Sequence, residues 1–477
     1  MARQYAYDAV VIGSGPNGLA AAVELARSER SVLVVEAKET IGGGARSKEL
    51  TLPAFVHDVC SAVHPLGLAS PFFRTLPLEQ FGLEWLQPEI NLAHPLDDGS
   101  AVLLHRSIAT TAATLGVDGD VYQRLMIPLV NSWEAIIQAF LGPLRLPPLL
   151  HPFKLAPFAL AALSSAQLLS DVAFRGPQAR ALLGGIAAHS MLSLRQPTSA
   201  AAGVLLATAG HVSGWPVPRG GSQAIVDALA AYLRSLGGEI RTATEVTNID
   251  ELPAACAYLF DVTPRQLLQL AGHRLPDTYK RQLRRYRYGP AAFKLDLALD
   301  GPIPWTAQEC LKAGTVHLGG TFAEIALSEQ QVQCGQPPER PYVLIAQQSM
   351  VDATRAPAGK HTAWAYCHVP NGSDFDMTER IEAQIERFAP GFRDRILARH
   401  ITDPVALEHY NPNYIGGDFN GGKQDIRQLF TRPTIRVNPY TTPAPNIFIC
   451  SSSTPPGGGV HGMCGYFAAQ AVLKQQH

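Results

Sequence analysis

The sequence predicts an α/β protein built on a parallel βαβ unit, and three consecutive stretches predict it. Tyr7-Asp8-Ala9-Val10-Val11-Ile12 is a short apolar run rich in β-branched residues, the pattern of a strand buried on both faces. Gly13-Ser14-Gly15-Pro16-Asn17-Gly18 follows at once and opens an Ala-rich amphipathic stretch from Leu19 to Arg27. Ser31-Val32-Leu33-Val34-Val35 then reads as a second strand, ending at Glu36.

The order of these pieces carries chemistry. Gly13 permits a tight turn, Gly15 lets the backbone approach a diphosphate, and Gly18 lets the helix pack close to the strand. The helix N-terminus offers free N–H groups and the positive end of its dipole. Glu36 lies 18 residues beyond Gly18, near the about 20 expected for an acid that accepts from a ribose hydroxyl. Ser14, Pro16, Asn17 and Ala37 fill out the same predicted site. A lone G-x-G-x-x-G is a weak signal. Strand, turn, helix, strand and acid in one order make dinucleotide binding the expectation.

The next stretch favours FAD over NAD. Ile41-Gly42-Gly43-Gly44-Ala45-Arg46-Ser47 sets three glycines and an arginine just after the second strand. Glycines allow close backbone approach, and the Arg46 fork suits a phosphate or the ribityl region. Further on, Pro218-Arg219-Gly220-Gly221-Ser222 leads into a helix over 223–236, and 239–247 reads as a strand that would lay Val246 beside the adenine. Near the C-terminus, Asn446-Ile447-Phe448-Ile449-Cys450 is a buried strand, followed by the small-residue loop 451–459 and a helix from about Val460 to Leu473. Its start, with Gly459, Val460, Gly462 and Met463, would face the pyrimidine end of the flavin and favour negative charge there.

Composition narrows the partners. The chain has 477 residues, enough for two or three units at roughly 100–200 residues each. Its 39 basic and 40 acidic residues give a net charge of −1, which does not favour nucleic acid. Charged residues make up 17% and hydrophobic ones 46%, pointing to a large interior, an apolar cavity or some apolar surface. The seven cysteines form no C-x-x-C pair, which argues against a disulfide reductase and suits a reducing compartment. No leader or membrane span is read from the pattern, so a soluble cytoplasmic protein is expected. The apolar stretch from Leu125 to Leu169 is broken by Pro143, Pro147, Pro148, Pro152 and Pro157 into short helices. It suits ordinary core or, in an enzyme taking a lipid, a lid or a peripheral membrane contact with Arg145 and Lys154 toward headgroups.

Gly13 to Gly18, Gly42-Gly43-Gly44-Ala45-Arg46, Pro218-Arg219-Gly220-Gly221 and Pro456-Gly457-Gly458-Gly459-Val460-His461-Gly462-Met463-Cys464-Gly465 together resemble phytoene-dehydrogenase-like flavoproteins, which group with phytoene desaturases and carotenoid isomerases. The resemblance implies a Rossmann-like FAD-binding domain of the glutathione-reductase/amine-oxidase type with an interleaved α+β substrate domain. It places FAD-domain segments at 1–70, 216–265 and 441–477. The substrate domain would take 71–215, mainly helical, and 266–440, its sheet part. It implies hydride transfer to flavin from a lipophilic, isoprenoid-like substrate, or a redox-neutral isomerisation, with oxygen or a quinone as acceptor. One departure is Ser451-Ser452-Ser453-Thr454-Pro455-Pro456, where the family pattern has Gly-Ala-Ser-Thr-His-Pro.

Other signals are weaker. Gly417 to Lys423 matches most of a phosphate-binding loop, but Gln424 replaces the hydroxyl that would hold Mg²⁺, so a glycine-rich loop near the cavity is expected instead. No second G-x-G-x-x-G lies between a strand and a helix, so a separate NAD(P)H domain is not expected. Lys294 and Asp296 share one side of an alternating strand and read as a solvated face, with a polar pair in the cavity as the alternative. His461 is the one histidine placed to act on the flavin, as an acid–base group or a structural cap; no metal set is seen. The alternatives are an amine or other small-molecule oxidase, or a non-enzymatic lipid-binding flavoprotein.

Overall fold

The computed structural model describes residues 5–143 and 152–475. Arg145, Pro147 and Pro148, expected in the Pro-broken apolar stretch, lie outside the described residues, as does the start of the chain at Met1 to Gln4.

Two sheets organise the chain. The first is five-stranded and wholly parallel. Its order is Ile447–Ile449, Ala255–Phe260, β1 (Tyr7–Ile12), β2 (Val32–Val35) and Glu239–Arg241. The apolar runs form central strands because both faces are covered. On one side lie α1 (Pro16–Arg27) and the helices Gln223–Ser235 and Met463–Gln475, sharing a core with Val11 and Val34. On the other, Val10 and Leu33 pack with Leu267, Tyr279 and Leu283. Val11 sits level with Val34 on one side and Leu259 on the other. Segments far apart in sequence thus meet at the carboxyl ends of one set of strands, the place where open α/β sheets bind ligands.

The second sheet has seven strands, in the order Ile396–Thr402, Ala291–Leu299, His361–Val369, Val343–Ala346, Ala313–Leu318, Ile90–Pro95 and Ala101–Leu104. It is antiparallel except where Ala313–Leu318 runs parallel to Ile90–Pro95. Pro177–Ala187 packs against its Ile90–Pro95, Ala101–Leu104 and Ala313–Leu318 end, and the short helices Gly119–Asn131, Trp133–Phe140, Pro152–Leu163, Ala166–Ala173 and Ser199–Val212 pack on that helix and on one another. The expected breaking of this apolar stretch into short helices is seen, although Pro128 and Pro157 sit inside helices.

Three boundaries differ from expectation. The strand expected over 239–247 is only three residues long, Glu239–Arg241, because Ala243 takes a positive φ and Thr244 to Thr247 turn away. The last helix starts at Met463, three residues later than expected, because Gly459 and Gly462 have positive φ. The helix after β1 begins earlier, at Pro16, whose ring fits the first turn.

The Lys294 and Asp296 face is not solvated. Both side chains are buried, and Lys294 Nζ donates to Asp296 and to the Asp58 carbonyl. Alternation identifies residues that share a face but not what covers it. The covering is polar and comes from the N-terminal unit. Arg355 reaches Asp58 at 2.8 Å, and His57 Nδ1 lies 3.8 Å from Asp296 Oδ1.

Candidate functional site

A cavity of about 700 Å³ runs from the carboxyl ends of the parallel strands to the face of the second sheet. That volume lies within the roughly 300–1,000 Å³ usual for small-molecule sites. Of the residues expected to hold a dinucleotide, Gly13, Ser14, Gly15, Pro16, Asn17, Glu36, Ala37, Gly44, Arg46, Val246, Gly459 and Val460 line it. Gly18, Ala45, His461, Gly462 and Met463 do not appear on its wall.

At the glycine turn, backbone replaces side chain. Gly13 adopts φ 101°, and a Cβ at Gly43 would stand 3.1 Å from the Gly15 Cα, so the two glycine turns face each other directly. The first turn of α1 has neither a side-chain cap nor an acidic residue. An anion entering there meets amides and the positive end of the helix dipole. Gly18 works from behind: a Cβ on it would overlap the Gly13 carbonyl, so it sets helix against strand.

Glu36 is buried and spans the turn. Its Oε2 accepts from the Ser14 amide at 3.0 Å and the Ser14 hydroxyl at 2.6 Å, and its Oε1 from the Lys38 amide at 2.9 Å. Arg46 departs from its expected role. Its guanidinium donates to the carbonyls of Thr40, Ile41 and Gly43, to the Tyr410 hydroxyl, and to Glu36 at 3.2 Å. It fastens the glycine loop to Glu36 rather than pointing a free fork at a phosphate. The turn Pro218 to Ser222 lies off the cavity wall too. Its Gly220 and Ser222 amides donate to Asp352 and Asp58.

His461 is a cap. Its Nδ1 accepts from the Met463 amide at 3.1 Å, its carbonyl accepts from Ser70, and burial lowers its pKa to about 4. It is a neutral group set into the start of the last helix, behind the wall.

Several wall residues were not anticipated as site residues. Asp261 ends the strand Ala255–Phe260 as Glu36 follows β2, and that shared position, an acid after an apolar run, was its signal. Trp364 and Tyr366 alternate on the strand His361–Val369, which marks one aromatic face. They pack edge-on with ring centroids 5.0 Å apart, and Phe419 meets Tyr366 at 6.1 Å. Phe419, Asn420 and Gly421 come from the loop resembling a phosphate-binding motif, so that loop walls the cavity. Lys294 and His189 also reach the wall, and burial first, with His368 adding, lowers His189 to about 3. Among the described residues no group of three or more His, Cys, Asp or Glu side chains is placed to hold a metal ion.

Residues 11–75 match the family of NAD(P)-binding Rossmann-like domains. A solved structure of a putrescine oxidase with putrescine bound superposes with a TM-score of 0.63 at 17% identity, over 99% of each chain. The fold is that of the dinucleotide-binding oxidoreductases. In sequence, the chain is 24% identical to pyridine nucleotide-disulfide oxidoreductase domain-containing protein 2 of Rattus norvegicus, over 98% of this chain and 93% of that one. It is also 27% identical to a neurosporene-forming phytoene desaturase of Rhodobacter capsulatus, over 52% of this chain and 51% of the other.

Proposed function

We propose that this protein is an FAD-dependent oxidoreductase acting on a lipophilic, isoprenoid-like substrate, as a desaturase or a redox-neutral isomerase. The observation that carries the proposal is the continuity of one cavity. It joins the glycine turns and Glu36 to a chamber walled by Leu206, Trp215, Leu344, Trp364, Tyr366 and Phe419. The carboxylates on its wall, Glu36, Glu245 and Asp261, stand with the nucleotide-binding residues.

The residues present fit FAD. Gly13, Gly15 and Asn17 would take the diphosphate, Glu36 the ribose and Val246 the adenine edge. Gly44, Gly459 and Val460 would support the ring system. Bound there, FAD supplies hydride acceptance, which no side chain can provide. The chain contributes binding, orientation and exclusion of water. Its aromatic walls would align an extended apolar substrate, and buried His189 stays neutral beside it. With one glycine turn of this kind in the sequence, substrate electrons would pass to oxygen or a quinone, or return to the same molecule.

An amine oxidase is the second reading, favoured by the likeness to putrescine oxidase. Against it stands the chamber's chemistry. The charged side chain at that end is Lys294, an ammonium held by Asp296, which offers a cationic substrate no partner. A lipid-binding flavoprotein without turnover is the third.

The test is an absorption spectrum of the purified protein with solvent extraction of what it carries. Flavin bands together with an extracted polyene or other lipid are expected, and turnover with that lipid excludes the binding-only reading. Glu36→Arg should lower retained FAD at least about tenfold, the isosteric Glu36→Gln less so. Oxygen consumption with diamines but not with lipids would sink the lipophilic reading. A folded protein that stays colourless with added FAD would sink the whole proposal.

A further inference from the structure

Asp261 stands where a diphosphate would want donors. Its amide donates to the Ile12 carbonyl at 2.8 Å, which holds it level with the end of β1. Its Oδ2 accepts from the Gly18 amide at 2.9 Å. A Cβ on Gly15 would lie 2.7 Å from the same oxygen, so the carboxylate rests against the glycine turn itself. Pro16 has no N–H, so one of the first three residues of α1 lacks a donor and another already donates to Asp261. An incoming diphosphate would meet a like charge at an amide it needs.

We propose that Asp261 governs cofactor affinity: the diphosphate is accepted only by the form of the chain in which Asp261 is uncharged, so that binding FAD takes up one proton from solvent. The proposal rests on the FAD reading above.

The groups whose charge reaches Asp261 are few. Glu36 faces it from the end of β2, Cys450 from the end of Ile447–Ile449, and Cys464 from the helix Met463–Gln475. Burial raises Asp261 to about 7 against the lowering pull of the Gly18 amide, and the Glu36 carboxylate adds to the rise. Burial pushes Cys464 up to about 11 and Cys450 well above its ordinary value, so both thiols stay neutral near pH 7. Burial also lowers His64 and His189 on the cavity wall, to about 4 and about 3. Asp261 is therefore the group at this end of the cavity that titrates near neutral pH.

If only the uncharged form binds, the apparent Kd is the intrinsic value divided by the fraction in that form. With Asp261 at about 7, the apparent Kd rises about tenfold per pH unit above neutrality, and about 100-fold between pH 6 and pH 9. The experiment dilutes the flavin-loaded protein at pH 6, 7, 8 and 9. It reads released FAD by fluorescence, calibrated with free FAD at each pH, for wild type and Asp261→Asn. The expected result is a wild-type Kd that climbs as stated and a variant Kd constant within about twofold. A flat wild-type profile overturns the proposal, as does a slope that survives in Asp261→Asn. Failure of both proteins to hold FAD at any pH overturns the flavin reading instead, and the two failures are distinguishable.

Discussion

At Gly18 and Gly465, one hydrogen atom decides the packing. A Cβ on Gly18 would overlap the Gly13 carbonyl, and one on Gly465 would overlap the Asn17 carbonyl where the last helix crosses α1. Both obstacles are backbone and have no room to yield. Gly18→Ala and Gly465→Ala should therefore each destabilise the fold by about 1–3 kcal/mol and lower its flavin content. Gly272 is the control. It sits at φ −60° with open space where a Cβ would go, so Gly272→Ala should stabilise by about 0.4–1 kcal/mol. Urea melts of the three variants check this, and equal losses at all three would refute it. Gly18 was legible in sequence because its role is local. Gly465 was quoted only as part of a motif, and its reason, contact with a residue near the other end of the chain, is tertiary. Asp261 was missed on the same ground. The acid after an apolar run was visible in sequence, but its place beside the glycine turn comes from pairing Ala255–Phe260 against β1.

At the scale of elements, period and composition located strands and helices better than they located their surroundings. The strand Ala291–Leu299 alternates as expected, yet Lys294 and Asp296 turn inward against His57, Asp58 and Arg355. Arg46 was read as a phosphate ligand because its donors were visible in sequence and its acceptors were not. Among its described residues, the apolar stretch over 125–169 is buried in large part but leaves some large apolar side chains exposed, as does Val172 just beyond it. Phe153 is 93% exposed and Leu160 80% on the helix Pro152–Leu163, and Val172 is 78% exposed on Ala166–Ala173. No single helix among the described residues is long and apolar enough to cross a bilayer. We propose that this face lies on a membrane surface, with Lys154 toward the headgroups. In a flotation assay the wild type should associate with vesicles containing anionic lipid, and Phe153→Ser with Leu160→Ser should reduce that association several-fold. Wild-type protein that stays with the unbound fraction at low salt would end the idea.

For the molecule as a whole, burial of weak bases sets the response to acid. Burial lowers His57 and His189 to about 3 and His64, His94, His211 and His461 to about 4, and takes His317 well below its ordinary value. Each titrates near 6.5 once the chain unfolds. Below that pH the unfolded chain binds protons that the folded one refuses, so stability is present above 6.5 and lost as pH falls toward 4. Four carboxyls, Glu24, Asp261, Asp296 and Asp418, are raised by burial and act in the opposite sense. Burial raises Asp261 to about 7 and Asp296 to about 6, so the folded form takes up their protons first and gains from acid. Asp58 lies outside this window. Burial would raise it, but Arg355 and the Ser222 amide hold it below the usual carboxylate range. The histidines outnumber the opposing carboxyls. A net difference of even two protons costs about 3 kcal/mol per pH unit, a large share of the about 5–15 kcal/mol that holds a typical protein folded. Thermal melts with excess FAD should therefore show a Tm that rises modestly from pH 8 to 7, where Asp261 takes up its proton and FAD binds more tightly, and that falls steeply between 6.5 and 5. A Tm that holds steady or rises over that lower interval would mean that these histidines carry protons inside the folded protein, and the polar interior described above would be wrong.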